Sequence, residues 1–226
     1  MKNFAVLFDL NGTLVDTENA FFHAYKDVLS KYGIPFTLET FTSHWSTKGK
    51  KLKDFLIEIK REDLLPKEKE LLSQKDEVFQ ATLEERALLM PGAKETVERL
   101  KKENIKLGLD SSSTRENIEK ILSIFQMSSI FDAITSGDME LDETKYGEKK
   151  RKSSRLKALA DMLGISYERC VVIGDAEKDI KGAKDAGMKA IAVPNQYTKV
   201  NDFSKADKVV ENLDQITSKL LEFLFT

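Results

Sequence analysis

Cysteine is almost missing from this chain of 226 residues: Cys170 stands alone, so no internal disulfide can brace the fold. Placed at the start of an apolar run, Cys170 is expected to be buried rather than reactive. No charge of one sign dominates either. The 36 lysines and arginines nearly cancel the 38 aspartates and glutamates, leaving a net charge of −2, so nothing points to nucleic-acid binding by bulk charge. Met1 to Asp9 lack the basic region and long apolar segment of a signal peptide, and no apolar run approaches the ~18 residues of a membrane span. A cytoplasmic protein with no membrane or nucleic-acid partner is the expectation. Internal repeats and low-complexity segments are missing too, apart from the compact basic run Glu148 to Lys152. What remains is ordinary globular material: 41% hydrophobic residues, enough for one sizeable core with an inserted module.

The pattern along the chain changes twice. Phe4 to Phe8 is a short β-branched and aromatic run that ends at Asp9 and turns at Gly12. From Glu18 to about Leu89 only helical spacing is found, as in Phe21, Phe22, Tyr25, Val28, Leu29 and Tyr32, which predicts an all-helical insert. After Met90-Pro91-Gly92, helix and strand alternate. Strands are expected at Ile105–Leu109, Phe131–Ile134, Cys170–Ile173 and Ala190–Val193, with helices at Ala93–Glu103, Arg115–Ile124, Ser154–Leu163 and Ile180–Ala186. Such alternation predicts an α/β fold, a doubly wound parallel sheet of Rossmann-like form, with ligands bound beyond the carboxyl ends of the strands. The core is placed at residues 1–16 and 89–226 and the helical cap at 17–88.

Four polar clusters sit at those strand ends. Asp9, with Asn11 two residues on, is lifted clear of its strand by Gly12. Ser111 follows the second strand, and its hydroxyl and the next backbone N–H groups could hold a phosphate at the start of a helix, or simply cap that helix. A lysine of the basic run could neutralise a phosphoryl group, although such runs are ordinarily solvated surface. Gly174-Asp175-Ala176-Glu177-Lys178-Asp179 offers two carboxylates four residues apart, a pair able to face one Mg²⁺ ion.

In order and placement these clusters resemble the four motifs of the haloacid dehalogenase-like hydrolase superfamily, whose first motif reads Asp-x-Asp-Gly-Thr-Leu-x-Asp. The likeness covers residues 1 to 220, and the helical insert is similar in place and size to the cap of the β-phosphoglucomutase and phosphoglycolate phosphatase branch. The resemblance implies that Asp9 is a nucleophile forming an aspartyl phosphate and that Ser111, with Ser112, binds the phosphoryl group. It implies a Mg²⁺ site of Asp9, the Asn11 backbone carbonyl and Asp175, with Asp179 acting directly or through water. For the lysine it leaves two candidates. A Lys-Pro-x-Pro spacing counted back from Leu163-Gly164 gives Lys150, without its prolines; a Lys-x-x-x-Leu spacing gives Lys152, with Leu156 in register. In the cap, Thr47-Lys48-Gly49-Lys50 resembles the substrate-specificity loop, making Lys48 and Gly49 candidate substrate contacts.

One departure matters most. Asn11 stands where the phosphatases of the superfamily carry their general acid and base, and an amide can neither donate a carboxyl proton nor take one up. The chain is then a slowed or disabled phosphatase of small phosphomonoesters, a non-catalytic binder of a phosphorylated metabolite, or a catalyst of other chemistry such as dehalogenation. The pair Asp175 and Asp179 speaks against a metal-free dehalogenase. Phe21 and Leu52 replace the cap histidine and arginine of β-phosphoglucomutases, with His23 two residues displaced, which favours a phosphatase over a mutase. Asn11-Gly12 is also a pair prone to deamidation. Asp110, a carboxylate directly before Ser111, has no explanation in the sequence. A small phosphorylated metabolite is the expected partner, the protein being a monomer or weak homodimer.

Overall fold

The computed structural model describes residues 3–46, 50–148 and 151–226. They form two compact units, one of Met1–Asp16 with Leu89–Thr226 and one of Thr17–Leu88.

The larger unit is built on β1 (Ala5–Asp9), with the two-residue strands β2 (Val15–Asp16) and β3 (Leu88–Leu89) marking the points where the chain passes between units. Its other strands are β4 (Lys106–Asp110), β5 (Ala133–Thr135), β6 (Cys170–Gly174), β7 (Lys189–Ala192) and β8 (Lys208–Val209). They pair in the order β5-β4-β1-β6-β7-β8, every pairing parallel. All five residues of β1 and of β6 are buried, which is why both read as continuous apolar runs rather than as alternating ones. Leu7, Leu156, Leu159, Val172 and Ile180 join one apolar layer, each worth about 1.5–3 kcal/mol when removed from water.

The helices of the smaller unit are α1 (Glu18–Ser30), α2 (Leu38–Phe41), α3 (Leu52–Glu58) and α4 (Glu68–Arg86). Phe36 is its hub, with the Phe55 and Trp45 rings at 5.6 and 5.4 Å. Lys75 is buried with its ammonium 5.3 Å from the Phe21 ring and 5.6 Å from that of Tyr25, and it pairs with Asp76.

In the larger unit follow α5 (Ala93–Lys102), α6 (Arg115–Ile124), α7 (Glu143–Tyr146), α8 (Lys152–Leu163), α9 (Glu177–Asp185) and α10 (Ser218–Phe223). Two glycines set how closely α8 approaches its neighbours. A Cβ on Gly108 of β4 would lie 2.8 Å from Leu7 Cδ2 and 2.9 Å from Leu159 Cδ2. A Cβ on Gly182 of α9 would lie 3.0 Å from Lys152 Cβ, so the first turn of α8 is held between the sheet and α9.

The elements depart from the sequence expectation mainly at their ends. β1 and β4 run on through Asp9 and Asp110, which are partners in the ladder. Helices α8 and α9 begin two and three residues earlier than their apolar spacing suggests, because polar first turns are stabilised by backbone bonds; Asp179 Oδ2 accepts from Ala176 N at 3.0 Å. Ser111 does not cap α6: Thr114 does, its hydroxyl accepting from Asn117 N at 3.4 Å. β8 was invisible because its two residues are exposed and lack an apolar pattern. Cys170 is buried as expected, and burial pushes its thiol up to about 12. No helix among the described residues is long and apolar enough to cross a membrane.

Candidate active site

Parallel pairing brings the carboxyl ends of β1, β4 and β6 to one edge, and every site residue described below belongs to the larger unit. Asp9 and Asp110 stand side by side as register partners. Asp9 is 5% exposed and Asp110 is fully buried, so their charges need partners within the protein. Lys152, at the first position of α8, supplies one. Its Nζ lies 2.6 Å from Asp9 Oδ1, 2.7 Å from Asp179 Oδ1 and 3.2 Å from Asp110 Oδ2. Of the two candidate lysines, Lys152 thus meets Asp9, whereas Lys150 lies outside the described residues, as do Lys48 and Gly49.

Beyond β1 the chain turns at Gly12, whose φ of +86° suits glycine. A Cβ there would lie 2.7 Å from Asp175 Oδ2, so the turn and the loop after β6 touch directly. Asp175 is gripped from two sides. Thr13 Oγ1 donates to its Oδ1 at 2.8 Å, and Asn195 Nδ2 donates to its Oδ2 at 3.0 Å and to the Gly12 carbonyl at 2.9 Å. Asn11 turns toward the hydroxyls after β4: its Nδ2 donates to Ser113 Oγ at 2.9 Å and to Ser111 Oγ at 3.3 Å. Ser111 Oγ in turn accepts from Ser113 N at 3.1 Å. Ser112 is exposed, so Ser113 is the hydroxyl that joins Ser111 in this group.

Asp9, Asp175 and Asp179 each present an oxygen, and the three atoms lie within 4.8 Å of one another. Burial, with repulsion from Asp179, raises Asp9 to about 6 against the pull of Lys152. Burial, with repulsion from Asp179 and Asp9, raises Asp175 to about 7. Three crowded, desolvated carboxylates are the hard-oxygen donor set that suits Mg²⁺, and the residues present fit that ion.

Both raised acids bind protons more tightly in the fold than in the unfolded chain, where an aspartate titrates near 3.8. The unfolded state therefore releases protons first, and stability falls as pH rises from about 4 toward 7. Without divalent cations the protein is expected to melt several degrees lower at pH 8 than at pH 5, and Mg²⁺ should erase the difference. A melting temperature that rises over this range in metal-free buffer would contradict the assignment.

A parallel α/β sheet with buried acids, a lysine and hydroxyls gathered at the carboxyl ends of its strands defines the structural class of this protein. Comparison with known proteins gives the class its family. Residues 6–193 match the haloacid dehalogenase-like hydrolase model. A phosphorylated carbohydrates phosphatase of Thermotoga maritima is 29% identical over 189 residues, covering 83% of each chain. The β-phosphoglucomutase of Bacillus subtilis is 30% identical over 230 residues, covering 96% of this chain and 93% of that protein. Among solved structures, a HAD hydrolase of family IA from Entamoeba histolytica superposes with a TM-score of 0.81 at 21% identity, covering 98% and 99% of the two chains. The chain belongs to the haloacid dehalogenase-like hydrolases and is an enzyme of that family.

Sequence reasoning misses Thr13, Ser113 and Asn195. Thr13 and Ser113 lay inside segments already singled out, and the hydroxyl after Gly12 was a usable signal. Nothing in the sequence linked Asn195 to Asp175, 20 residues earlier.

Proposed function

We propose that this protein is a Mg²⁺-dependent phosphatase of small phosphomonoesters, acting through an aspartyl phosphate at Asp9 and slowed by Asn11. The observation that carries this reading is the position of Asp9, set between the Lys152 ammonium at 2.6 Å and the acids Asp175 and Asp179. Asp9, the Asn11 backbone carbonyl and Asp175 would hold Mg²⁺, with Asp179 beside them. Bound there, Mg²⁺ would offset the acids and withdraw charge from the phosphoryl oxygens.

Lys152 orients the Asp9 carboxylate and offsets charge on the phosphoryl group, while Ser111 and Ser113 offer hydroxyls to its oxygens. An Asp9 oxygen attacks phosphorus as the ester P–O bond breaks, and the leaving alkoxide oxygen takes its proton from solvent water. Water then attacks the same phosphorus and gives its proton to solvent, the bond to Asp9 breaks, and orthophosphate departs with Asp9 restored. A group at position 11 would give the first proton and take up the second; an amide can do neither. A sugar phosphate is the favoured substrate, supported by the similar phosphatase of phosphorylated carbohydrates.

A second reading, a family member that holds phosphorylated ligands with little turnover, is supported by the Asn11 amide itself, which bridges the two serine hydroxyls. A panel of phosphomonoesters tested with the Asn11→Asp variant separates the two, with Asp9→Ala as the blank. Turnover that EDTA abolishes supports the phosphatase; turnover that survives EDTA contradicts it, and silence with retained ligand binding favours the binder.

A further inference from the structure

Asp110 and Arg155 form a buried pair to which the proposed chemistry gives no role. Arg155 Nε donates to Asp110 Oδ1 at 2.7 Å and a terminal guanidinium nitrogen to Oδ2 at 3.2 Å, while Thr135 Oγ1 donates to Oδ1 at 2.9 Å. Both side chains are hidden, Arg155 being 6% exposed and Asp110 0%. Burial works to raise Asp110, but Lys152 and Arg155 together outweigh it and hold the carboxyl below the usual range.

The position of Asp110 makes this more than a stabilising contact. Asp9 and Asp110 are register partners on adjacent strands, so Asp110 competes with Asp9 and Asp179 for the single ammonium of Lys152. The competition is uneven: Nζ is 2.6 Å from Asp9 and 2.7 Å from Asp179 but 3.2 Å from Asp110. Lys152 and Arg155 are three residues apart on α8, hence on one face, and the guanidinium fork meets Asp110 along both oxygens. We propose that Arg155 is a positioning residue of the phosphoryl pocket: by engaging Asp110 it leaves the Lys152 ammonium to Asp9 and Asp179. The pair also keeps Asp110 from adding an unbalanced negative charge beside the phosphate site. This inference rests on the phosphatase reading above and assigns Asp110 its place in it.

Orthophosphate binding in the presence of Mg²⁺, followed by titration calorimetry on the full chain, tests it without any need for turnover. Arg155→Met leaves Asp110 to Lys152 and should weaken orthophosphate binding by about tenfold or more. The double variant Asp110→Asn/Arg155→Met removes both charges and should recover affinity to within about threefold of the unmodified chain. A scaffold role alone would leave the double variant as impaired as the single one, and that result, or a folded Arg155→Met protein with unchanged affinity, overturns the proposal. Should Arg155→Met not fold, Asp110→Asn and the double variant are compared with the unmodified chain. Asp110→Asn frees Arg155 and Lys152 from a carboxylate and should tighten orthophosphate binding by about threefold or more, while equal affinity in all three overturns the proposal. An unmodified chain that binds no orthophosphate with Mg²⁺ sinks the phosphatase reading itself, and this assignment with it.

Discussion

Replacing Asn11 with aspartate is expected to raise Mg²⁺-dependent turnover of phosphomonoesters by about 10²- to 10⁴-fold, the usual contribution of a placed general acid and base. The substitution is nearly isosteric, and position 11 is only partly buried, so the fold should tolerate it. What changes is the polarity of the contact. Asn11 Nδ2 now donates to Ser113 and Ser111, whereas a carboxyl group would accept from those hydroxyls when ionised and carry a transferable proton when protonated. The gain should appear mainly in kcat, because phosphoryl-group ligands other than position 11 are unaltered. Residual turnover by the unmodified chain is not expected to come from rapid deamidation at Asn11-Gly12. That route needs the Gly12 nitrogen to attack the Asn11 side chain, and the Gly12 N–H is tied to the Val15 carbonyl at 2.8 Å. Peptide mapping of aged protein should show Asn11 intact.

Asp9→Asn, placed in the Asn11→Asp background, carries the second large effect. Loss of a nucleophile that forms a covalent intermediate should lower kcat by about 10⁴-fold or more. The variant should nevertheless stay folded. Asp9 is held at about 6, above its ordinary range, so its charged form is disfavoured by the site and a neutral amide costs the fold little. Lys152 would keep Asp179 and Asp110 as partners. The reciprocal change, Lys152→Ala, lacks that protection because it takes the ammonium from the buried Asp9 and Asp179 at once, while Asp110 keeps Arg155. An Asp9→Asn protein that melts normally and still turns over at more than a few per cent of its parent would remove Asp9 from the reaction.

How much of this was legible in the chain differs between its levels. The parallel sheet could be read because β1 and β6 are buried on both faces and so appear as unbroken apolar runs. The turn after Asp9 could be read because Gly12 follows a strand end closely, and the acids Asp175 and Asp179 because they lie in one short loop and helix start. Contacts between distant segments could not be. Asp110 has no partner that the sequence suggests, because Arg155, which meets both its oxygens, lies 45 residues later. The choice between two lysines rested on motif spacing, and only the approach of α8, permitted by Gly108 and Gly182, shows Lys152 reaching Asp9. Asn195 was hidden for the same reason: its role is to join two loops that only the fold brings together.

The central claim is that Asp9 becomes phosphorylated, and the most direct test is to find the phosphoryl group. The Asn11→Asp protein is mixed with Mg²⁺ and the best phosphomonoester of the panel, quenched in acid within a turnover, digested and mapped by mass spectrometry. The account predicts one phosphoryl group, on the peptide carrying Asp9, absent from the Asp9→Asn control and lost on incubation at neutral pH before digestion. Steady turnover with a phosphoryl group on another residue would contradict it.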